Sequence, residues 1–303
     1  VDLLTLQGKT VHTQIHMHPF YNPATGQQLY RCTITDITPY YQQAYLKALS
    51  KAKSILLQSG MKVPFQNFTQ IIGSASRSAR TAIYRNLYDK SGTHYMQRLA
   101  FYETASQNPH KTEDNRQLIP YHETGPYFEQ RLKDGENVFG VVNNFAGHLR
   151  KHLKNRNIEA LMAIPLHIDD QFWGFIAFEN NEACHWPQAE REYLNTAAMA
   201  LENKITLVLR EEALQTSHEK YKVIFNQVSD AIGLHKITDG KPGKFMELNN
   251  AAANMLGYTK NELKALSLEA IFTKDTLQRF PELINKLQHK RQLFFESWHI
   301  KKN

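Results

Sequence analysis

The chain has 303 residues, and 42% of them are hydrophobic, which is enough for one or two domains with ordinary cores. Its formal charge of +7 comes from Lys and Arg scattered among Glu and Asp, so composition argues against nucleic acid as a partner. Two cysteines exclude a disulfide framework, and no run approaches the roughly 20 apolar residues of a membrane span, so we expect a cytoplasmic segment without membrane contact.

Residues 9–37 predict two antiparallel strands joined by a turn at 22–26. Apolar residues alternate with histidines along the first strand, as expected when one face is exposed. The second strand ends in Asp36, Ile37, Thr38 and Pro39, which resembles the exit of a PAS domain into its coupling helix. This resemblance implies that residues 1–38 are the C-terminal part of a PAS domain, and we expect the chain to be a piece of a longer protein.

Residues 39–58 predict a helix whose apolar positions alternate in steps of four and three. We call these positions the first seam; they are Tyr45, Leu49, Ala52 and Leu56. Such spacing is typical of a coiled coil, so residues 39–64 are interpreted as a coiled-coil-like linker that expects a partner helix.

Residues 65–157 predict a helix at 67–76, then strands at 80–88 and 94–103, with a hairpin turn between the strands. The following residues, 104–157, are polar and irregular, and we expect them to cover a sheet.

Residues 161–180 predict a hairpin that is buried on both faces, because apolar residues occupy both sides of its second arm. We expect Phe172 to share a face with Ile176, and Trp173 to share the other face with Phe175. The turn is expected at 169–171. Gly174 indicates a place where a backbone or a ligand approaches closely.

A second helix, at residues 188–212, again repeats apolar residues in steps of four and three. We call them the second seam; they are Leu194, Ala198, Leu201, Ile205 and Val208. The hairpin, the Trp186-Pro187 pair and this helix together resemble the closing segment of a GAF domain, a sensing and dimerising module of signalling proteins. The resemblance places a GAF domain at 65–206, followed by a connecting helix at 207–217.

Beyond the second seam, Thr216 and Glu219 predict a capping box that starts a new helix. Strands are predicted at 231–238 and 244–248, with a turn at 239–243. The sequence ELNNAAANMLGYTKNEL at 247–263 then resembles the front of a PAS domain, which implies that residues 218–303 are its N-terminal part and that 291–302 form a third strand.

The fold class expected from these parts is α+β. It has a GAF-like antiparallel sheet with covering helices, long connecting helices, and partial PAS-like antiparallel sheets at both ends.

No catalytic motif and no nucleotide-binding loop is present in the sequence, so no catalytic residue is predicted. Metal ligation was weighed for the histidines at 148 and 152 and for those at 12, 16 and 18, and a solvated surface is favoured for both sets. Cys184-His185 follows the last hairpin rather than preceding it as in pigment-binding GAF domains, so a loop cysteine is favoured.

Aromatic residues of the GAF-like region are the candidate ligand-binding residues, because ligand pockets are mostly apolar with few polar groups. These candidates are Tyr84, Tyr121, Tyr127, Phe139, Phe145 and Trp173. The alternative is that the same side chains fill an ordinary core. The sequence names no cofactor and no ligand.

The function expected from the two resemblances is a non-catalytic sensor segment, PAS-GAF-PAS, of a multi-sensor histidine kinase in a two-component system. The segment would form a homodimer through its linker helices, hold a small molecule in the GAF domain, and contact neither nucleic acid nor membrane. The alternatives are the input segment of a diguanylate cyclase or phosphodiesterase and, from another class, a small-molecule enzyme.

Overall fold

A computed structural model of the chain describes residues 2–4, 10–104, 118–238, 241–290 and 292–302, and the structural statements below concern these residues. The chain divides into two units, residues 1–211 and 212–303. Within the described ranges, no helix is both long and apolar enough to cross a lipid bilayer.

The first unit begins with a three-stranded antiparallel sheet. Its strands are β1 (Asp2–Leu4), β2 (Thr10–Asn22) and β3 (Gln27–Asp36). The prediction that one face of this sheet is buried holds near the start of β2, where Thr13 is buried. Elsewhere Met17 of β2, which was expected on the buried face, is exposed, and so is Ile34 of β3.

Two helices follow, α1 (Thr38–Gln58), with Pro39 in its first turn, and α2 (Phe65–Ala75). The first seam is confirmed as an apolar stripe, since Tyr45, Ala52 and Leu56 are buried. They are buried against this chain's own helices and sheet rather than against a second copy. The ring of Tyr45, for example, stacks on Tyr193 with 4.5 Å between ring centroids.

The centre of the first unit is a six-stranded antiparallel sheet in the order β6-β5-β4-β9-β8-β7. Its strands are β4 (Arg80–Tyr88), β5 (His94–Glu103), β6 (Leu118–Pro120), β7 (Val138–Val141), β8 (Ala160–Ile168) and β9 (Gln171–Asn180). The bounds predicted for β4 and β5 agree with the structure. The expected cover, 104–157, includes 105–117, which lies outside the described residues.

Helices cover both faces of this sheet. One face packs on α1, α2 and the first half of α5 (Gln188–Gln227), and the other packs on α3 (Pro126–Lys133) and α4 (Gly147–Asn155). We call the second of these the aromatic face, because Tyr84, Tyr121 and Phe175 are buried there.

The hairpin β8–β9 is buried on both faces, as predicted, and Asp169 and Asp170 form its turn with φ of 48° and 61°. The pairing shifts between Leu166 and His167, which is a β-bulge. Because a bulge inserts one residue, it reverses the alternation of side chains beyond it. The expected faces of Phe172 and Trp173 are therefore wrong: Phe172 packs on the aromatic face and Trp173 packs on the helix side.

The helix α5 runs for 40 residues, so the predicted helix start near Thr216 is wrong. The Thr216 hydroxyl donates to the carbonyl oxygen of Glu212, one turn back in the same helix, instead of capping a new helix. The second seam is buried in the core of the first unit, from Leu194 to Val208.

The second unit contains a two-stranded antiparallel sheet and three α-helices within its described part. These elements are β10 (Gly233–Thr238), β11 (Lys241–Leu248), α6 (Asn250–Leu256), α7 (Lys260–Ala265) and α8 (Lys274–His289). Residues 239–240 of the predicted turn lie outside the described residues, and the prediction is wrong for 241–243, which belong to β11. The third strand expected at 291–302 is wrong for 292–302, where a single isolated bridge joins His299 to Phe272.

The asparagine that opens the PAS-like motif fixes the junction of β11 and α6. The Asn249 side chain is fully buried, and its Oδ1 accepts hydrogen bonds from the backbone N–H groups of Ile232 and Ala252. Its Nδ2 donates to the carbonyl oxygen of Asp230. One side chain thus caps α6 and holds the segment before β10.

Candidate functional site

The structure brings three of the six candidate aromatic residues together on the aromatic face, namely Tyr84, Tyr121 and Phe145. It does not bring the others there. Tyr127 is 70% exposed on α3, and Phe139 is exposed on β7. Trp173 lies on the opposite face of the sheet, where its ring stacks on Phe65 at 6.0 Å, so it is not part of the same site.

Tyr84 lies at the centre of the aromatic face. Its ring stacks on Phe175 with 4.8 Å between centroids, and Phe128 of α3 packs edge-on against the same Phe175 ring. Its hydroxyl is buried close to the Arg156 guanidinium. Burial raises the pKa of Tyr84 and outweighs the opposing effect of Arg156, so the hydroxyl remains a proton donor.

Tyr121 belongs to a polar group that the sequence analysis did not select. Its ring stacks on His94 at 4.4 Å, and its hydroxyl donates to Oδ1 of Asn86 over 2.7 Å. The Nδ1 atom of His94 lies 2.6 Å from Oε1 of Glu129, which also pairs with Lys133 at 2.6 Å. We call these five residues the His94 cluster.

The His94 cluster is a compact arrangement of charge and aromatic rings. His94 is stacked between Tyr88 and Tyr121, and its Nε2 atom is buried without a partner among the described residues. Burial raises the pKa of Glu129, but hydrogen bonds from Lys133 and His94 outweigh burial and hold that pKa below its ordinary value. Glu129 is therefore a carboxylate that orients His94.

A second charged group lies at the other end of the aromatic face. Glu179 is buried, with one carboxylate oxygen 3.5 Å from Arg156 and the other without a partner in the described part of the chain. Arg98 is also buried, with its guanidinium 4.8 Å from the centre of the Phe101 ring. The aromatic face therefore has polar groups at both ends, and Arg98 pairs with Tyr84 at its centre.

Two histidines weighed as metal ligands have other contacts. His152 lies 3.4 Å from Glu123, and its pKa is lowered by burial and then by Arg156. His148 is exposed and packs beside Gly125. Within the described ranges, no group of three or more His, Cys, Asp or Glu residues could hold a metal ion.

Cys184 lies beside an open polar cleft of about 520 Å³ near the start of α5. Its sulfur accepts a hydrogen bond from Asn180 Nδ2 at 2.9 Å, and burial raises the pKa of its thiol, which disfavours the reactive thiolate. The same cleft is lined by Arg77 and Glu190. Arg77 donates to both carboxylate oxygens of Glu190, from its backbone nitrogen and from Nε, at 3.0 Å each.

A signal for the missed residues is present in the sequence. Tyr84, Asn86 and Tyr88 alternate along β4, and His94 and Arg98 lie on the same face of the adjacent strand β5. Period-2 alternation would have placed these polar groups beside the aromatic candidates. The contribution of Glu129 depends on how α3 packs, which strand alternation does not give.

Family models match two parts of the chain. The model of the GAF domain matches residues 63–205, and that of a PAS domain matches residues 219–297. Among curated proteins, the methanogenesis regulatory histidine kinase FilI of Methanothrix harundinacea is similar to part of this chain. The two sequences are 26% identical over 133 residues, which make up 43% of this chain. The match covers 15% of the length of that protein.

Two solved structures are similar in fold. The phycoerythrobilin-bound GAF domain from a cyanobacterial phytochrome is 14% identical with a TM-score of 0.48, covering 55% of this chain and 97% of that domain. The chromophore-binding domain of the bacteriophytochrome RpBphP3 from R. palustris is 13% identical with a TM-score of 0.49, covering 70% of this chain and 74% of that one.

Proposed function

Because residues 63–205 form a GAF domain and residues 219–297 form a PAS domain, both sensor modules of signalling proteins, we propose that this chain is a sensory segment of a cytoplasmic multi-sensor histidine kinase. The partial match to a regulatory histidine kinase supports this choice over a cyclase or phosphodiesterase output. We also propose that residues 1–38 are the tail of a preceding PAS domain.

The observation that carries the sensing role is a set of buried polar atoms on the aromatic face. His94 Nε2 and one oxygen of Glu179 have no partner among the described residues. Buried polar groups in folded proteins are nearly always satisfied, by protein, water or ligand. We propose that a small molecule with an apolar body and hydrogen-bonding groups binds this face and satisfies them.

The proposed output passes through α5, because the first half of this helix packs in the core of the GAF domain and the helix ends at Gln227, within the PAS match. A ligand that binds one arrangement of the aromatic face more tightly than another would shift the position of this helix. The movement of α5 would then change the activity of a histidine kinase domain that starts a phosphorelay.

The test is a chimera in which the chain is fused upstream of a histidine kinase core. Glu179→Gln alters an unsatisfied carboxylate and Tyr84→Phe removes a buried hydroxyl on the same face, and we expect each to change autophosphorylation at least about threefold, since one hydrogen bond of about 1 kcal/mol corresponds to roughly fivefold. Tyr127→Phe is the matched control, because Tyr127 is exposed. Equal activity in all four proteins would contradict the proposal.

A further inference from the structure

At the bulged tip of the β8–β9 hairpin, two consecutive residues pack in the two different layers of the first unit. Phe172 packs on the aromatic face, and the next residue, Trp173, packs on the helix side against Phe65. The bulge between Leu166 and His167 produces this arrangement. A movement of the tip therefore displaces side chains in both layers at once.

On the aromatic face, the tip is bonded to the His94 cluster. Asn86 Nδ2 donates to the carbonyl oxygen of Phe172 over 2.9 Å, and Oδ1 of the same side chain accepts from the Tyr121 hydroxyl. The Phe172 ring also meets the Tyr121 ring edge-on at 6.4 Å. The side-chain amide of Asn86 thus links the Tyr121 hydroxyl to the backbone of β9 at Phe172.

His167 makes a second connection from the tip to the same cluster. Its ring lies 5.7 Å from that of Phe172, and its Nε2 lies 3.1 Å from the carbonyl oxygen of Lys133 at the end of α3. Lys133 is the partner of Glu129. The tip therefore contacts the His94 cluster at two places, Asn86 and the backbone of Lys133.

On the helix side, the tip is bonded to α5. The backbone nitrogen of His167 donates to Oε1 of Glu202 over 3.1 Å, and Arg210, two turns further along, bonds to Asp169 in the hairpin turn. The backbone nitrogen of His167 lies at the bulge. The geometry of its hydrogen bond to Glu202 therefore depends on how β8 and β9 are paired there.

We propose that the bulged tip, residues 166–173, is a coupling element that transmits rearrangement of the His94 cluster to α5. The inference rests on the proposed sensor role and adds the route by which the aromatic face would act on the helix. When the Tyr121–Asn86 bond is lost, Asn86 releases Phe172, the tip loosens, and the bond between His167 and Glu202 weakens. The segment of α5 from Glu202 to Arg210 then opens more readily.

Hydrogen exchange on the 303-residue chain tests this coupling without any ligand. Tyr121→Phe keeps the ring and removes the hydroxyl, and we expect the amides of His167 and of α5 residues 203–210 to exchange about two- to tenfold faster, the range of one neutral hydrogen bond. Tyr127→Phe removes an exposed hydroxyl from α3 and should leave both segments unchanged.

The transmitting bond is tested by repeating the comparison in a Glu202→Ala background. There, Tyr121→Phe should still speed exchange at the tip but should no longer change α5. An unchanged α5 after Tyr121→Phe in the wild-type background, or the same change with and without Glu202, would overturn the proposal.

His167→Phe is a second variant that keeps the ring contact and removes the bond to Lys133, and it should reduce the effect of Tyr121→Phe on α5 at least about twofold. An undiminished effect would also overturn the proposal. Because no kinase is measured, a negative exchange result leaves the chimera test of sensing to be decided separately.

Discussion

Gly174 of β9 lies against the backbone of β4. A Cβ atom placed on it would lie 2.1 Å from the carbonyl oxygen of Tyr84, far inside contact distance. A glycine inside this strand predicts close approach of a backbone or a ligand, and the structure shows that it is a backbone. The residue next to the bulge therefore has no room for a side chain, and the sheet depends on this glycine.

We expect Gly174→Ala to lower the free energy of unfolding by about 3 kcal/mol or more, because the two central strands must move apart. Urea denaturation of the full chain measures this. Gly92→Ala is the control: no atom lies within 4 Å of its added Cβ, but its φ is +82°, so only conformational strain of about 1–2 kcal/mol is added. Equal losses in the two variants would contradict the steric explanation.

His152 should make stability depend on pH. Its pKa in the folded chain is lowered by burial and by Arg156, so below the ordinary value of 6.5 the unfolded chain takes up a proton that the folded chain resists. Stability therefore falls as the pH drops from about 6.5 toward the lowered pKa. Melting temperatures at pH 7.5 and 5.5 should differ less for His152→Gln than for the wild-type chain. A wider gap in the variant would refute this assignment.

At the scale of elements, the Arg77–Glu190 pair joins the loop between α2 and β4 to the first turn of α5. Glu190 is 1% exposed, and Arg77 supplies both of the hydrogen bonds described above. Lys204, further along α5, donates to the carbonyl oxygen of Gly60 just beyond α1. With the Tyr45–Tyr193 stack, these contacts show that α1 and the first half of α5 run in the same direction side by side.

Removing Arg77 should leave a buried carboxylate without its cation, so we expect Arg77→Ala to cost about 3 kcal/mol of stability. Arg77→Ala combined with Glu190→Gln should cost less than the sum of the single changes, and a double-mutant cycle measures the difference. Arg131→Ala, which breaks an exposed pair with Glu136, should cost less than about 1 kcal/mol. Additive losses at residues 77 and 190 would contradict a direct pair.

What could be predicted from sequence differs between elements. Alternation predicted the correct faces for β8 and for β9 from Phe175 onward, but the residue inserted at the bulge reversed Phe172 and Trp173. A glycine inside a strand, such as Gly174, marks a bulge or a close approach without saying which side chains are reversed. The first seam was recognised from its spacing. Such spacing predicts that a helix packs against a partner. It does not distinguish a partner in another chain from one in the same chain, which is what Tyr45 finds in Tyr193.

The whole-molecule question is where a second copy would bind, since both seams are used inside the first unit. Four of the exposed apolar residues of α5 follow another line in steps of seven, with a three-residue step at its end. They are Leu207, Leu214, Tyr221 and Ile224. This spacing is that of a coiled-coil seam, and we propose it as the dimer contact.

A charge in the middle of that line should separate the copies. We expect Leu214→Glu to shift the chain toward monomer in sedimentation velocity, with at least about a tenfold weaker dimer, because a buried apolar contact of roughly 1.5–3 kcal/mol is lost and a charge is desolvated. Gln215→Glu adds the same charge on the adjacent exposed residue and should leave the dimer intact. Similar sedimentation of both variants would place the interface elsewhere.

The continuity of α5 as one helix was the hardest feature to predict from the sequence, because Thr216 and Glu219 have the spacing of a capping box that starts a new helix. Its length has a mechanical consequence. At 1.5 Å per residue, the part of α5 from Glu190 to Glu211 is about 32 Å long, so a tilt of roughly 5° pivoting at Glu190 would carry Glu211 sideways by about 3 Å. A sub-ångström adjustment near the pivot would then become a displacement several times larger at the end of the first unit.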